Sequence, residues 1–423
     1  MKVDPQEFME NGCLILRNVV PLDRLQELRL TVELMVDYEK RQSVARRGDG
    51  DPLGGAWYVD PQPRLKVSSI QKETASIMDF CLGETTLGVA EQIMPAPEVS
   101  LNGFNVLCSG IIDYGYTDWH RDISSMAMAP LGGLQTDLLA NRPGYVQWNI
   151  ALYEDDVFWV LPKSHAQPTT EAQRRQLLID PEVELEGGMA VELGPGDGIV
   201  YTNMMMHWGS KYTSKIRRTI HPGYRTCGGN ILPYTHQLDW YHEHGLLDRL
   251  SDNARSKLKR SATAFETECD DVEATLRALI DADEAAFRER LAGLHPGEHG
   301  RMTAVVLLCR LASKIVLMHR PDIAQMSPDE RRPLIDDSPP AGYLELMGYR
   351  FTADDAARLQ ERFAALDERL NKNSLAVYER YTKVHAELVP EATDPPDFAS
   401  RPLRTFDHDM PEGFDVDEFI ASW

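Results

Sequence analysis

Between residues 99 and 228 the chain breaks into short runs rich in β-branched and aromatic residues, each bounded by turn-forming residues, and this rhythm restricts the fold more than any other feature. The runs are Ser100–Leu107, Trp119–Ile123, Tyr145–Leu152, Phe158–Leu161, Ala190–Leu193, Gly198–Tyr201 and Arg217–His221. Turn signals stand at Asp155-Asp156, Pro162-Lys163, Gly187-Gly188 and Gly194-Pro195-Gly196-Asp197. Short strands punctuated in this way predict an antiparallel sandwich or jelly roll.

Helical signals flank this region on both sides. Residues 5–37 read as helix, short strand, helix, with Pro21 opening an amphipathic stretch that carries Leu25, Leu28, Leu30 and Leu34. Residues 73–94 also read as helical. Two excursions, 45–61 and 124–144, are rich in glycine and proline, and loops of that length beside a site serve either as lids or as plain surface connections. After about Pro233 the period changes to that of helices, as in Phe265, Cys269, Val272, Leu276, Leu279 and Ile280, and later in Leu359, Phe363, Leu366 and Leu370. The chain therefore divides into a jelly-roll core with N-terminal helices, residues 1–235, and a mainly α-helical extension, residues 236–423. The fold class is α+β. The extension packs on the core, forms a homo-oligomer interface, or does both.

Chemistry concentrates at Trp119-His120-Arg121-Asp122. On a strand, residues i and i+2 share a face, so His120 and Asp122 can bind one ion together. A third ligand must come from elsewhere, and His207, in Met206-His207-Trp208-Gly209, is the best candidate. Two histidines and one carboxylate leave three sites open on an octahedral metal, the arrangement of non-haem Fe(II) oxygenases. His-x-Asp alone is a weak signal, since an isolated histidine is more often a surface or hydrogen-bonded residue.

Composition narrows the partners. With 44 Lys+Arg against 66 Asp+Glu the formal charge is −22, which disfavours nucleic acid and anionic membranes. Six cysteines without metal-ligand spacing fit reduced thiols in a cytoplasmic protein. No apolar run is long enough to span a bilayer.

With these residues in place, the first half resembles the phytanoyl-CoA dioxygenase family of Fe(II)/2-oxoglutarate-dependent oxygenases. The resemblance is carried by Phe8 to Val19, His120-Arg121-Asp122, Gln147 to Leu152, Val160 to His165, Gly194-Pro195-Gly196-Asp197 and His207…Arg218, in that order over roughly residues 5–228. It departs from the family at Arg121, at Lys163 in place of a corner glycine, and at Trp208, which displaces the small residues after the second histidine. The resemblance implies a double-stranded β-helix holding Fe(II), 2-oxoglutarate and O2, oxidising a C–H bond of a small-molecule substrate. It implies His120, Asp122 and His207 as ligands, and an arginine about eleven positions past His207 to anchor the far carboxylate. Spacing puts Arg218 first; alignment through Tyr224 favours Arg217, and only one can face inward. Trp148 flanks the cosubstrate or is a core aromatic, the two being about equal. Lys66 reaches a carboxylate or is an exposed strand lysine. Asn105, Tyr116, Trp119, Arg121 and Arg225 are the substrate-pocket candidates, while His165 and His221 read as structural. The rival is a jelly-roll metal-binding protein or a cupin-type lyase that does not turn over 2-oxoglutarate.

Overall fold

The computed structural model describes all residues except 95, 113–116, 124–130, 210–213, 229–244, 296, 328–329, 331–347, 392–414 and 423. The elements run α1 (Pro5–Asn11), β1 (Cys13–Leu16), α2 (Leu22–Ala45), β2 (Arg64–Leu65), α3 (Ser76–Cys81), α4 (Leu87–Ile93), β3 (Glu98–Cys108), α5 (Leu131–Asn141), β4 (Tyr145–Ala151), β5 (Asp155–Val160), α6 (Glu171–Ile179), β6 (Met189–Leu193), β7 (Gly198–Thr202), β8 (His207–Gly209) and β9 (Arg218–Cys227). Helices then follow: α7 (Leu246–Arg249), α8 (Asp252–Ile280), α9 (Glu284–Leu294), α10 (Gly297–Met318), α11 (Pro321–Ala324), α12 (Ala353–Leu388) and α13 (Val416–Ala421).

The strands form two antiparallel sheets, one of order β1-β7-β4-β9-β3-β2 and one of order β6-β5-β8. Alternation sorts the larger sheet into two faces. Val146, Trp148, Ile150, Val200, Ile220 and Tyr224 point out into the main core, where they meet α2, α3, α4 and the C-terminal helices. Ala151, Ile199 and Tyr201 point inward and pack on Phe158, Val160, Val191 and Leu193 of the smaller sheet. This is a double-stranded β-helix with helices against its outer face.

Local sequence explains the helix ends. Asp4 caps α1 by accepting from the Gln6 amide, and Gly12 ends it in the left-handed region at φ +79°. A Cβ at Gly12 would lie 2.4 Å from His165 Nδ1, so the position needs glycine for space as well as for its backbone angle. Thr352 and Asp355 form a capping box at the start of α12. The expected helix over 73–94 is broken in two, because the chain turns at Gly83 and the Thr86 hydroxyl lies 2.7 Å from the Phe80 carbonyl and 2.9 Å from that of Cys81, capping α3.

Two further expectations change. In the excursion 124–144, residues 131–141 are helix α5, held to the C-terminal cap of α9 by a buried His295 Nε2–Asp137 Oδ2 contact of 2.6 Å; residues 124–130 lie outside the described residues. The expected strand Trp119–Ile123 reduces to one bridge, His120 against His207. Among the C-terminal helices, α8 packs on β3 and β9, α10 on α5 and α12, and α12 on α6 and α8. Their apolar residues share one core cluster with the jelly roll.

Candidate metal centre

β8 and the segment before Asp122 bring the three ligands together. His120 and His207 exchange both backbone hydrogen bonds at 2.9 Å, so the two rings stand side by side with centroids 4.4 Å apart. The Asp122 amide donates to Asn203 O at 3.0 Å, which holds the bend carrying the carboxylate. His120 Nδ1 lies 2.7 Å from Asp118 O, and His207 Nδ1 2.9 Å from Met205 O. A carbonyl can only accept, so each Nδ1 is the protonated nitrogen and each Nε2 keeps its lone pair. Those two nitrogens face the carboxylate, His120 at 3.5 Å from Oδ1 and His207 at 3.3 Å from Oδ2. Ligands of one ion with bonds of about 2.1 Å stand roughly 3–3.5 Å apart, so these positions fit a shared metal. A ligand atom from each of the three lies within 4.8 Å of the others.

The donor set is the two-histidine, one-carboxylate triad and fits a non-haem Fe(II) ion. The imidazole side chains are 10% and 5% exposed, whereas that of Asp122 is 34% exposed, so the centre opens on its carboxylate side. Burial alone would raise the Asp122 pKa; without a metal, the charge and hydrogen bonds of His207 and His120 in their protonated form outweigh it and hold the carboxyl well below the usual carboxylate range.

A layer of polar side chains supports the ligands. Gln147, on the inward face of β4, donates to Asp122 Oδ2 at 2.5 Å and is hydrogen-bonded to the Tyr201 hydroxyl. Burial, with the Asp122 charge nearby, pushes the phenol of Tyr201 well above its ordinary value, so it stays protonated. Tyr201 packs edge-on against His207 at 5.1 Å, and Phe158 lies 5.6 Å from the same ring. Further along β9, the His221 ring meets Trp148 O and Asn149 Oδ1 at 2.6 and 2.8 Å. Burial lowers its pKa to about 4, against the pull of Asp122. Sequence reasoning passed over Gln147 and Asp155 and gave Tyr201 no role. The available signal for Gln147 was a pair of amides, Gln147 and Asn149, on the parity opposite Trp148 in a strand otherwise of apolar and aromatic residues.

The two arginines part at the start of β9. Arg218 turns outward and pairs with Glu33 of α2 at 2.8 Å. Arg217 turns inward, its side chain 5% exposed, with Nε donating to Asp155 Oδ2 at 2.9 Å. Strand parity thus favours Arg217, contrary to the spacing that put Arg218 first.

Other expected site residues stand elsewhere. Trp148 lies on the outward face of β4 in the main core, opposite Gln147. Lys66 is exposed, ahead of a short 3-10 turn. Trp119 stacks on Trp208 at 5.3 Å and its indole N–H donates to Val183 O, which makes it a packing residue beside the ligands. Arg121 is buried and donates to Met204 O, Thr169 Oγ1 and Ser164 O, tying loops together away from the triad. Arg225 is fully buried against Glu268 of α8 at 2.5 Å. Asn105, half-buried, is registered opposite His221 and shares its inward face. Tyr116 lies outside the described residues.

No family model and no curated protein matches the chain. Solved structures resemble about half of it. They include the non-heme alpha ketoglutarate dependent epimerase SnoN from nogalamycin biosynthesis, at 15% identity over 53% of this chain and 81% of that one, with a TM-score of 0.35. AviO1 from Streptomyces viridochromogenes Tue57 has 18% identity over 53% and 96%, with a TM-score of 0.37. HygX from Streptomyces hygroscopicus, with nickel and 2-oxoglutarate bound, has 14% identity over 52% and 85%, with a TM-score of 0.36. At such values the functional reading rests on the residues of this chain.

Proposed function

We propose that this chain is an Fe(II)/2-oxoglutarate-dependent dioxygenase of the phytanoyl-CoA dioxygenase kind, oxidising a C–H bond of a small-molecule substrate and releasing succinate and CO2. The observation that carries the reading is the convergence of His120 Nε2, His207 Nε2 and the Asp122 carboxylate on one point, with both imidazoles fixed in the metal-binding tautomer. Bound iron and cosubstrate, with dioxygen, supply the oxidising chemistry. The protein's residues do the rest. His120, Asp122 and His207 hold the ion, and Gln147 orients the carboxylate. Phe158 and Tyr201 exclude water from the imidazole side. Arg217 offers a guanidinium to the far carboxylate of the cosubstrate. Asn105 and His221 lend a polar wall suited to a polar substrate. Asp122 fills the position that a halogenating relative leaves vacant for halide.

One observation favours the rival reading, a metal-binding or lyase-type jelly roll: Arg217 already holds a carboxylate, that of Asp155. Incubation with Fe(II), ascorbate and 2-oxoglutarate separates the two. Succinate and CO2 appear in the native protein and vanish in His207→Ala under the dioxygenase reading; their absence in both, across a panel of small-molecule substrates, overturns it. Among the described residues no helix is long and apolar enough to cross a membrane.

A further inference from the structure

Asp155 is buried, with its side chain 3% exposed, and every donor it meets is accounted for. Oδ2 accepts from Arg217 Nε at 2.9 Å and from Thr219 Oγ1 at 2.5 Å, and Oδ1 accepts from the Val157 amide at 3.3 Å. Burial works against its ionisation, and Arg217 with Thr219 reverses that, so the carboxyl sits below its ordinary range. Arg217 is served differently. Only its Nε is used; among the described residues no acceptor engages either Nη, although the side chain is almost wholly enclosed. A guanidinium has two edges that can grip a carboxylate, one through Nε and one through the two Nη. Asp155 takes the first, and the second meets no acceptor among the described residues, which leaves it available to a ligand carboxylate. Arg217 lies close enough to Tyr201 for its charge to act on that phenol, and Tyr201 packs on the ligand His207. Arg217 also shares the parity of Thr219, which is registered opposite inward-facing Ala151, so it stands on the face of the sheet that carries Tyr201 and the metal centre.

We infer that Asp155 is a positioning residue: it clamps Arg217 through Nε so that the two Nη groups form a fixed receptor for the far carboxylate of a 2-oxo dicarboxylic acid, and it thereby sets the preference for such an acid over a 2-oxo monocarboxylic acid. The inference rests on the dioxygenase reading. It also explains how an arginine that already has a carboxylate partner can still serve as an anchor, since the two carboxylates use different edges. Fixing a long side chain in advance removes an ordering cost that binding would otherwise carry.

The test uses the full-length protein loaded with Co(II) instead of iron, so that binding is read without turnover, and titrates it with 2-oxoglutarate and with pyruvate, which lacks the far carboxylate. Asp155→Ala raises the dissociation constant for 2-oxoglutarate roughly tenfold or more, while that for pyruvate and the Co(II) affinity stay within about twofold. Asp155→Asn, which keeps one acceptor for Nε, falls between parent and alanine variant and carries the comparison alone if the alanine variant does not fold. Equal 2-oxoglutarate affinity in parent and variants overturns the inference. Tighter binding in the variants overturns it too, by making Asp155 a competitor for the arginine. A parent protein that does not distinguish 2-oxoglutarate from pyruvate refutes the dioxygenase reading itself, and the inference with it.

Discussion

Two buried arginine–carboxylate pairs bracket β9, Arg217–Asp155 just before its start and Arg225–Glu268 near its end, and they are finished in different ways. At the far end, α8 closes over the pair. Arg225 donates through Nε to Thr226 O, reaches Glu268 through Nη2 and lies 5.5 Å over the Phe265 ring, while Glu268 also takes the Gly228 amide. At the near end only one edge of the guanidinium is used. The same chemical pair therefore ends differently: at Arg225 it fastens a helix to a sheet, and at Arg217 it leaves one edge of the guanidinium without a described acceptor, the edge proposed above to take a ligand.

Substitution of each arginine should break this comparison most plainly. Arg225→Ala strands Glu268 in the interior and should lower unfolding stability by about 3–5 kcal/mol, measured by denaturant titration. Arg217→Ala should cost less stability, because Asp155 keeps its Thr219 and Val157 donors, yet raise the 2-oxoglutarate requirement roughly ten- to a hundredfold. Arg218→Ala releases Glu33 and one bond to the Arg217 carbonyl and should leave that requirement unchanged. Equal stability losses in Arg225→Ala and Arg217→Ala would erase the distinction between a fastening and a receptor.

Between the two pairs stands His221, neutral in the fold with its pKa lowered by burial to about 4 from an ordinary 6.5. The unfolded chain binds that proton more readily, so stability is fully present above pH 6.5 and is lost as pH falls towards 4, by up to roughly 3 kcal/mol. His221→Gln should flatten that part of the pH profile in metal-free protein. An unchanged profile would mean that the ring is solvated. Next in size is Gln147→Ala, which frees the Asp122 carboxylate to turn and should weaken Fe(II) affinity about ten- to a hundredfold while sparing both ion pairs. The smallest effect is expected at Lys163, which sits in the left-handed region at φ +69°. Lys163→Gly should stabilise the protein by roughly 0.5–1 kcal/mol and leave metal and cosubstrate binding untouched.

The jelly roll and the triad were readable because they are written in local patterns: period-two strands, turn residues, and a His-x-Asp whose partner lies in the next ligand-bearing run. What escaped depends on pairing between distant strands. Arg217 and Arg218 cannot be told apart by counting from His207, since the turn between them sets the parity; the Thr219 and Asp155 bonds decide it. Trp148 drew notice as the large residue of its strand, yet it is Gln147, on the other parity, that reaches Asp122. Arg225 looked like a pocket cation because Glu268, its partner, lies 43 positions away on a helix. Helix α5 was hidden because Gly132 and Gly133 made its first turn look like loop.

The stack of Trp119 on Trp208 adjoins both ligand histidines in sequence and shares its buried cluster with Tyr381, well along α12. In a chain made from its N-terminus, His120 and His207 leave the ribosome long before the residue that seals the indoles behind them. Until α12 is translated, those indoles, with Leu177 and Leu178, remain wet and adhesive. Maturation of the metal centre is thus tied to the synthesis of α12, and chains that stop before it should be the forms that engage chaperones.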